Sequence, residues 1–117
     1  LYKVGISQVP GFDSRHLFLY EVYLGMPQEN KASYDAAETF TLAPKLKGDL
    51  LMLSGTNDTS TQTNLFKMSE ILIRLGKQHQ AMSYPNSAHG TVGKTAEFDM
   101  ELKKRFFVEH LMKTAGN

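Results

Sequence analysis

The run Leu50-Leu-Met-Leu53, held between Gly48 and Gly55, limits what the chain can fold into more than any other feature. Consecutive large apolar side chains do not alternate between a wet and a dry face, so a strand here has to be covered on both sides. Short strands of that kind belong to parallel sheets with helices packed on both faces. The neighbouring segments suit such a frame. Tyr2 to Val9 is apolar-rich, contains β-branched residues and stops at Pro10-Gly11, which predicts a strand. Gln78 to Tyr84, closed by Pro85-Asn86, predicts another.

Helical patterns alternate with these strands. Phe12 to Leu24 predicts a helix, with Leu17, Tyr20 and Leu24 at helical spacing and Gly25-Met-Pro27 as its end. Gln28 to Lys47 is polar and turn-rich, with Ser33 and Asp35 suiting a short helix at best. The clearest helix carries Leu65, Met68, Leu72 and Leu75, with Gly76 as its stop. A last helix is predicted from about Thr95 to Lys113, with Phe98, Leu102, Phe106 and Leu111 along one side. Strand, helix, strand, helix, strand, helix specifies an α/β fold, a mostly parallel sheet between two helical layers.

Composition excludes several function classes. At 117 residues there is room for one modest domain, and 13 Lys and Arg against 12 Asp and Glu are spread without a basic block. Neither nucleic acid nor an acidic membrane surface is implied by that balance. The absence of cysteine removes disulfides, thiolate zinc sites and a cysteine nucleophile. No apolar run approaches the roughly 18 residues that span a bilayer. The start, Leu1-Tyr-Lys-Val-Gly-Ile, lacks an initiator Met and the pattern of a signal peptide, and enters directly on a strand. Three strands also leave a sheet edge in need of partners. Both features lead us to expect a portion of a longer protein.

Two predicted strand ends carry chemistry. One is Gly55-Thr-Asn-Asp58 and the other is Pro85-Asn-Ser-Ala-His89-Gly90. Functional groups of open α/β sheets collect beyond the carboxyl ends of strands. A carboxylate that holds the Nδ1 proton of an imidazole leaves Nε2 free to take a proton from a serine hydroxyl. Asp58 followed by His89 matches the second and third members of the chain order Ser, Asp, His. Taken singly, Asp58 also suits a turn or helix cap, and His89-Gly90 a surface loop; their order on successive strand ends favours chemistry. The nucleophile is missing. Gly5-Ile-Ser7-Gln-Val9 lacks the second glycine of a Gly-x-Ser-x-Gly elbow and sits inside a strand, and Ser54 and Ser87 have no better context.

Over nearly its full length the chain resembles the C-terminal part of the catalytic domain of the prolyl oligopeptidase family of serine peptidases, most of all its dipeptidyl-peptidase IV-like branch. The landmarks are Leu1-Tyr-Lys-Val-Gly-Ile, Tyr23-Leu-Gly-Met-Pro27, Leu46-Lys-Gly-Asp-Leu-Leu-Met-Leu, Gly55-Thr-Asn-Asp58, Leu72-Ile-Arg-Leu-Gly-Lys77 and Tyr84-Pro-Asn-Ser-Ala-His89-Gly90. The resemblance implies that residues 1–117 are the C-terminal portion of a single α/β-hydrolase domain, incomplete in this chain. It implies that Asp58 is the triad acid and His89 the triad base. The serine would lie in a Gly-x-Ser-x-Gly-Gly elbow one helix upstream of Leu1, so that the chain alone would be inactive. Tyr23 matches a family tyrosine that lines the pocket for the substrate side chain, the alternative being an aromatic that packs at a helix end.

Two departures stand out. Leu19 occupies a position where the family carries a second tyrosine, and Thr59-Ser-Thr61 follows the acid where Asp-Asn-Val is common. The first puts strict post-proline specificity in question, and the second alters contacts near the substrate. The resemblance implies a peptide substrate, no cofactor and no metal, and a periplasmic or secreted setting. It also points to a homodimer formed through the last helix and the Leu65–Leu75 segment. His16, His79 and His110 are expected to be surface or packing residues, and Met68, Met82, Met100 and Met112 core filler. The main reading is a peptidase that releases short N-terminal peptides. The alternatives are an esterase or acylaminoacyl-peptidase on the same fold, or a non-catalytic binding module.

Overall fold

The computed structural model describes residues 3–16 and 20–113. Leu1, Tyr2, Leu17, Leu19 and the His16 side chain, which enter the expectations above, lie outside the described residues. In chain order the main elements are β1 (Val4–Gln8), α1 (Glu21–Leu24), α2 (Lys31–Ala37), β2 (Asp49–Gly55), α3 (Thr59–Arg74), β3 (Gln80–Tyr84) and α4 (Gly93–Lys113). Short 3-10 stretches at Ser14–His16 and Thr39–Lys45 join them.

The sheet runs β1-β2-β3 with every pairing parallel. Strand β2 lies in the middle, with Ile6 opposite Leu51 on one side and Leu53 opposite Met82 on the other. Its apolar run is divided between two cores. Met52 packs with Leu65, Met68 and Leu72 of α3 and with Phe40 and Ala43. Leu51 and Leu53 pack with Tyr84 and Phe106, with Val4, Ile6, Met82 and Leu102 against them. Met52 and Leu53 are completely inaccessible to solvent. Burying each such side chain is worth about 1.5–3 kcal/mol, and this is what makes the run a central strand. Helix α3 ends as expected, with Gly76 at φ 67° accepting the left-handed turn that other residues resist.

Three expectations need correction. Of the helix predicted over Phe12 to Leu24, the described residues form a 3-10 turn at Ser14–His16 and the four-residue α1, residues 17–19 lying outside the described residues. Side chains capture the backbone there: Asn64 Oδ1 accepts the Phe12 and Asp13 amides at 3.1 and 3.0 Å, and Asp13 Oδ1 accepts the Arg15 amide. Such bonds compete directly with a helical ladder. Arg15 is further drawn towards α2 by its ion pairs with Asp35 and Glu38.

On α4, Phe106 and Leu102 face the sheet, whereas Leu111 is exposed. At about 100° per residue Leu111 lies roughly half a turn away from Leu102, so the two cannot share a face. Of the four methionines expected as core filler, Met68 and Met82 join a core, whereas Met100 and Met112 are exposed.

The remaining histidines pack. His79 meets the Ser69 hydroxyl and the Lys77 carbonyl, and His110 stacks on Phe106 and pairs with Asp49. Among the described residues no group of three or more His, Cys, Asp or Glu side chains is placed to hold a metal ion. No described helix is long and apolar enough to cross a membrane.

Candidate active site

The carboxyl ends of β2 and β3 lie side by side, with Gly55 opposite Tyr84. Each strand leads into a loop, and the two loops are laced together. The Thr56 amide donates to the Tyr84 carbonyl at 3.0 Å, and the Asn57 amide to the Ser87 carbonyl at 2.9 Å. The Asn86 amide donates to the Thr56 hydroxyl at 2.9 Å, and the Asn57 side-chain amide to Asn86 Oδ1 at 3.2 Å. Asn86 takes φ 54°, a left-handed conformation that Asn tolerates better than most residues.

Gly55 explains why the apolar run must end in glycine. A Cβ there would meet the Ser87 carbonyl oxygen at 2.2 Å and that of Ala88 at 2.3 Å. The loop after β3 therefore rests directly on bare backbone, and this brings the next residue, His89, over the loop after β2.

His89 Nδ1 lies 2.7 Å from Asp58 Oδ2. Asp58 occupies the N-cap position of α3, where the helix dipole favours a carboxylate. Its side chain is 13% exposed, while that of His89 is 76% exposed. Burial pushes the Asp58 carboxyl up, but the Thr61 hydroxyl, the His89 imidazole and the Thr61 amide together outweigh it and hold the carboxyl below its ordinary value. Behind the acid, the Ser54 and Thr61 hydroxyls meet at 2.8 Å inside the protein. An ionised acid bound to Nδ1, with the imidazole reaching into solvent, leaves Nε2 accessible. That is the arrangement needed to take a proton from an incoming hydroxyl.

The structure thus brings Asp58 and His89 together. Tyr23 sits on α1 and is 83% exposed, with no packing against the rest of the described residues that would bury it. Tyr34 and Asn30 hold the end of that helix through bonds to the Gly25 and Leu24 carbonyls. Ser7 is an ordinary strand residue opposite Met52, and the Ser87 hydroxyl bonds the Pro85 carbonyl. An apolar cavity of about 380 Å³ lies elsewhere, and Leu46, Leu50 and Leu72 in its lining place it towards the amino ends of the strands. Sequence reasoning missed Thr56, Tyr84 and Asp99. The signal available for Asp99 was an acid three residues before Leu102, on a helix side otherwise apolar.

The prolyl oligopeptidase family profile matches residues 1–114, almost the whole chain. The chain belongs to the prolyl oligopeptidase family. Solved structures agree on the fold of this family member. Dipeptidyl peptidase 4 from Porphyromonas gingivalis superposes with a TM-score of 0.87 at 24% identity, over 93% of this chain and 16% of that one. Puromycin hydrolase gives 0.80 at 20% identity, over 94% and 18%. An acylaminoacyl peptidase solved with Z-Gly-Gly-Phe-chloromethyl ketone gives 0.74 at 21%, over 92% and 20%. The fold is therefore a portion of the α/β-hydrolase domain of these structures. The family member spans no more than a fifth of the length of these structures.

Proposed function

We propose that the protein carrying this chain is a serine peptidase that releases short peptides from the N-termini of its substrates, and that residues 1–117 are the C-terminal part of its catalytic domain. The observation that carries the reading is the 2.7 Å contact between a partly buried Asp58 carboxylate and an exposed His89 imidazole at adjacent strand ends. Family membership supports a peptide as substrate.

In this reading His89 Nε2 removes the proton of a serine hydroxyl supplied from outside residues 1–117, as the serine oxygen attacks the scissile carbonyl. The imidazolium then returns that proton to the leaving amine, and an acyl-enzyme forms. Water, deprotonated by His89, releases the acyl group as a free carboxylate. Asp58 accepts the Nδ1–H throughout, fixing the tautomer and stabilising the imidazolium. Tyr23, exposed on α1, lines the pocket for the substrate side chain. The exposed Met100, Phe107 and Leu111 on α4 support a homodimer through that helix, checked by solution mass with Leu111→Glu expected to shift it towards the monomer.

The test is to assay the full-length protein on dipeptidyl, acylaminoacyl and simple ester chromogenic substrates, with fluorophosphonate labelling. Dipeptide release and labelling, both lost in His89→Ala, are expected. Preference for acylaminoacyl or ester substrates would assign the second enzymatic reading. A protein that neither labels nor hydrolyses any of the three would be the binding module.

A further inference from the structure

His89 is fastened lightly for a base that must be placed to a fraction of an ångström. Its side chain is largely exposed, and its position depends on the loop 85–92 that carries it. That loop leaves β3 at Tyr84 and joins α4 at Gly93. The Tyr84 hydroxyl donates to Asp99 Oδ1 at 2.7 Å, wholly inside the protein. Since Asp99 lies in the second turn of α4, this bond closes the loop across its base. Tyr84 is 2% exposed and Asp99 5%. The Lys103 ammonium, one turn further along α4, donates to Asp99 Oδ2 at 2.5 Å and also to Gln8 Oε1 at the end of β1. The Phe98 ring meets the Tyr84 ring edge-on, with centroids 6.4 Å apart. Through its backbone the same Tyr84 accepts the Thr56 amide of the Asp58 loop.

Packing alone does not call for this network. Position 99 lies on the sheet side of α4 with Leu102 and Phe106, where an apolar side chain would fill the space without burying a charge. A buried carboxylate has to be paired and hydrogen-bonded to persist, and here both oxygens are. What the network adds is direction: a fixed distance between the root of the His89 loop and the helix that follows it.

We propose that Tyr84 and Asp99, braced by Lys103, form a staple that positions His89, acting on catalysis through the loop rather than by touching substrate. The proposal rests on the reading of His89 as catalytic base. If the staple works in this way, opening it should leave substrate binding alone and degrade proton transfer, because a displacement near 1 Å can cost about a hundredfold in rate.

The experiment uses the full-length protein with Tyr84→Phe, Asp99→Leu, Asp99→Asn, the Tyr84→Phe/Asp99→Leu double variant and His89→Ala. Kinetics are read on the best dipeptidyl substrate, and the low-field Nδ1 proton of His89 is followed by NMR. We expect Tyr84→Phe and Asp99→Leu each to lower kcat about 10- to 100-fold with KM within about twofold. The double variant should be no worse than the weaker single variant, since both break one bond. The Nδ1 proton should exchange at least about tenfold faster. Asp99→Asn, whose amide oxygen still accepts the Tyr84 hydroxyl, should recover most of kcat. If His89→Ala is inactive while Tyr84→Phe keeps wild-type kcat and proton exchange, the staple is refuted and the triad stands. Additive losses in the double variant, or no rescue by Asn, also refute it. If Tyr84→Phe does not fold, the Leu and Asn variants at position 99 decide the matter alone. Activity retained in His89→Ala would instead overturn the catalytic reading itself.

Discussion

Replacing Gly55 by Ala is the sharpest perturbation available, because its added atom has nowhere to go. The new Cβ would stand 2.2 Å from the Ser87 oxygen, against about 3.4 Å for ordinary contact, so the loop must retreat by about 1.2 Å. Both obstructing atoms are backbone, and no side chain can swing aside. A lift of that size stretches the Asn57–Ser87 bond from 2.9 Å to about 4 Å, beyond hydrogen-bonding range. Overpacking of this kind costs about 1–3 kcal/mol and the lost bond about 1 kcal/mol more, giving a destabilisation of about 2–4 kcal/mol. Because His89 travels with the loop, turnover should fall about a hundredfold even at temperatures where the protein remains folded. Urea unfolding and steady-state turnover on the same preparation provide the check. If Gly55→Ala unfolds within about 0.5 kcal/mol of wild type and turns over within twofold, the loop does not rest on Gly55 and the argument fails.

Asp58→Asn should lower kcat about 10³- to 10⁴-fold, because the wrong imidazole tautomer is then favoured. The folded Asp58 carboxyl lies below its unfolded value of about 3.9, so its contribution to stability is complete above that pH and is lost as pH falls through the folded value. Urea midpoints of wild type and Asp58→Asn should therefore differ at pH 7 and draw together as the pH falls below about 3.9. Burial and then Asp99 raise the Tyr84 hydroxyl, so its contribution is complete below the unfolded value of about 10 and is lost as pH rises above it. The stability gap between wild type and Tyr84→Phe should narrow from pH 9 to pH 11 in the same assay. Asn64→Leu strips the Phe12 and Asp13 amides of their acceptor and should cost about 2–4 kcal/mol by urea denaturation, whereas the exposed Ile73→Ala should change stability by less than about 0.5 kcal/mol.

What could be read in the sequence followed from how local the signal was. Strand β2 and helix α3 were legible because their apolar spacing is decided within a few residues and agrees with what finally covers them. The meeting of Asp58 and His89 was legible because parallel topology puts successive strand ends on one rim. The start of the segment from Phe12 to Leu24 misled because it depends on Asn64, about fifty residues away, which accepts the Phe12 and Asp13 amides. Leu111 misled for a simpler reason, an error of phase accumulated over nine residues. The Tyr84–Asp99 bond was harder to read: Asp99 falls on the Leu102 side of its helix, but an acid on an amphipathic helix is ordinarily a surface residue, and nothing nearby in sequence announces its buried partner.

The four hydrogen bonds between the loops after β2 and β3 have a consequence for how errors spread through the site. Acid and base are mounted on one chassis, so thermal motion or a distant mutation moves them together and barely alters the spacing between them. In the proposed reading the nucleophile comes from outside residues 1–117 and is not on that chassis. Disturbances that leave those four bonds and the Tyr84–Asp99 bond in place should therefore surface as slower acylation, while the low-field signature of the Asp58–His89 bond stays intact.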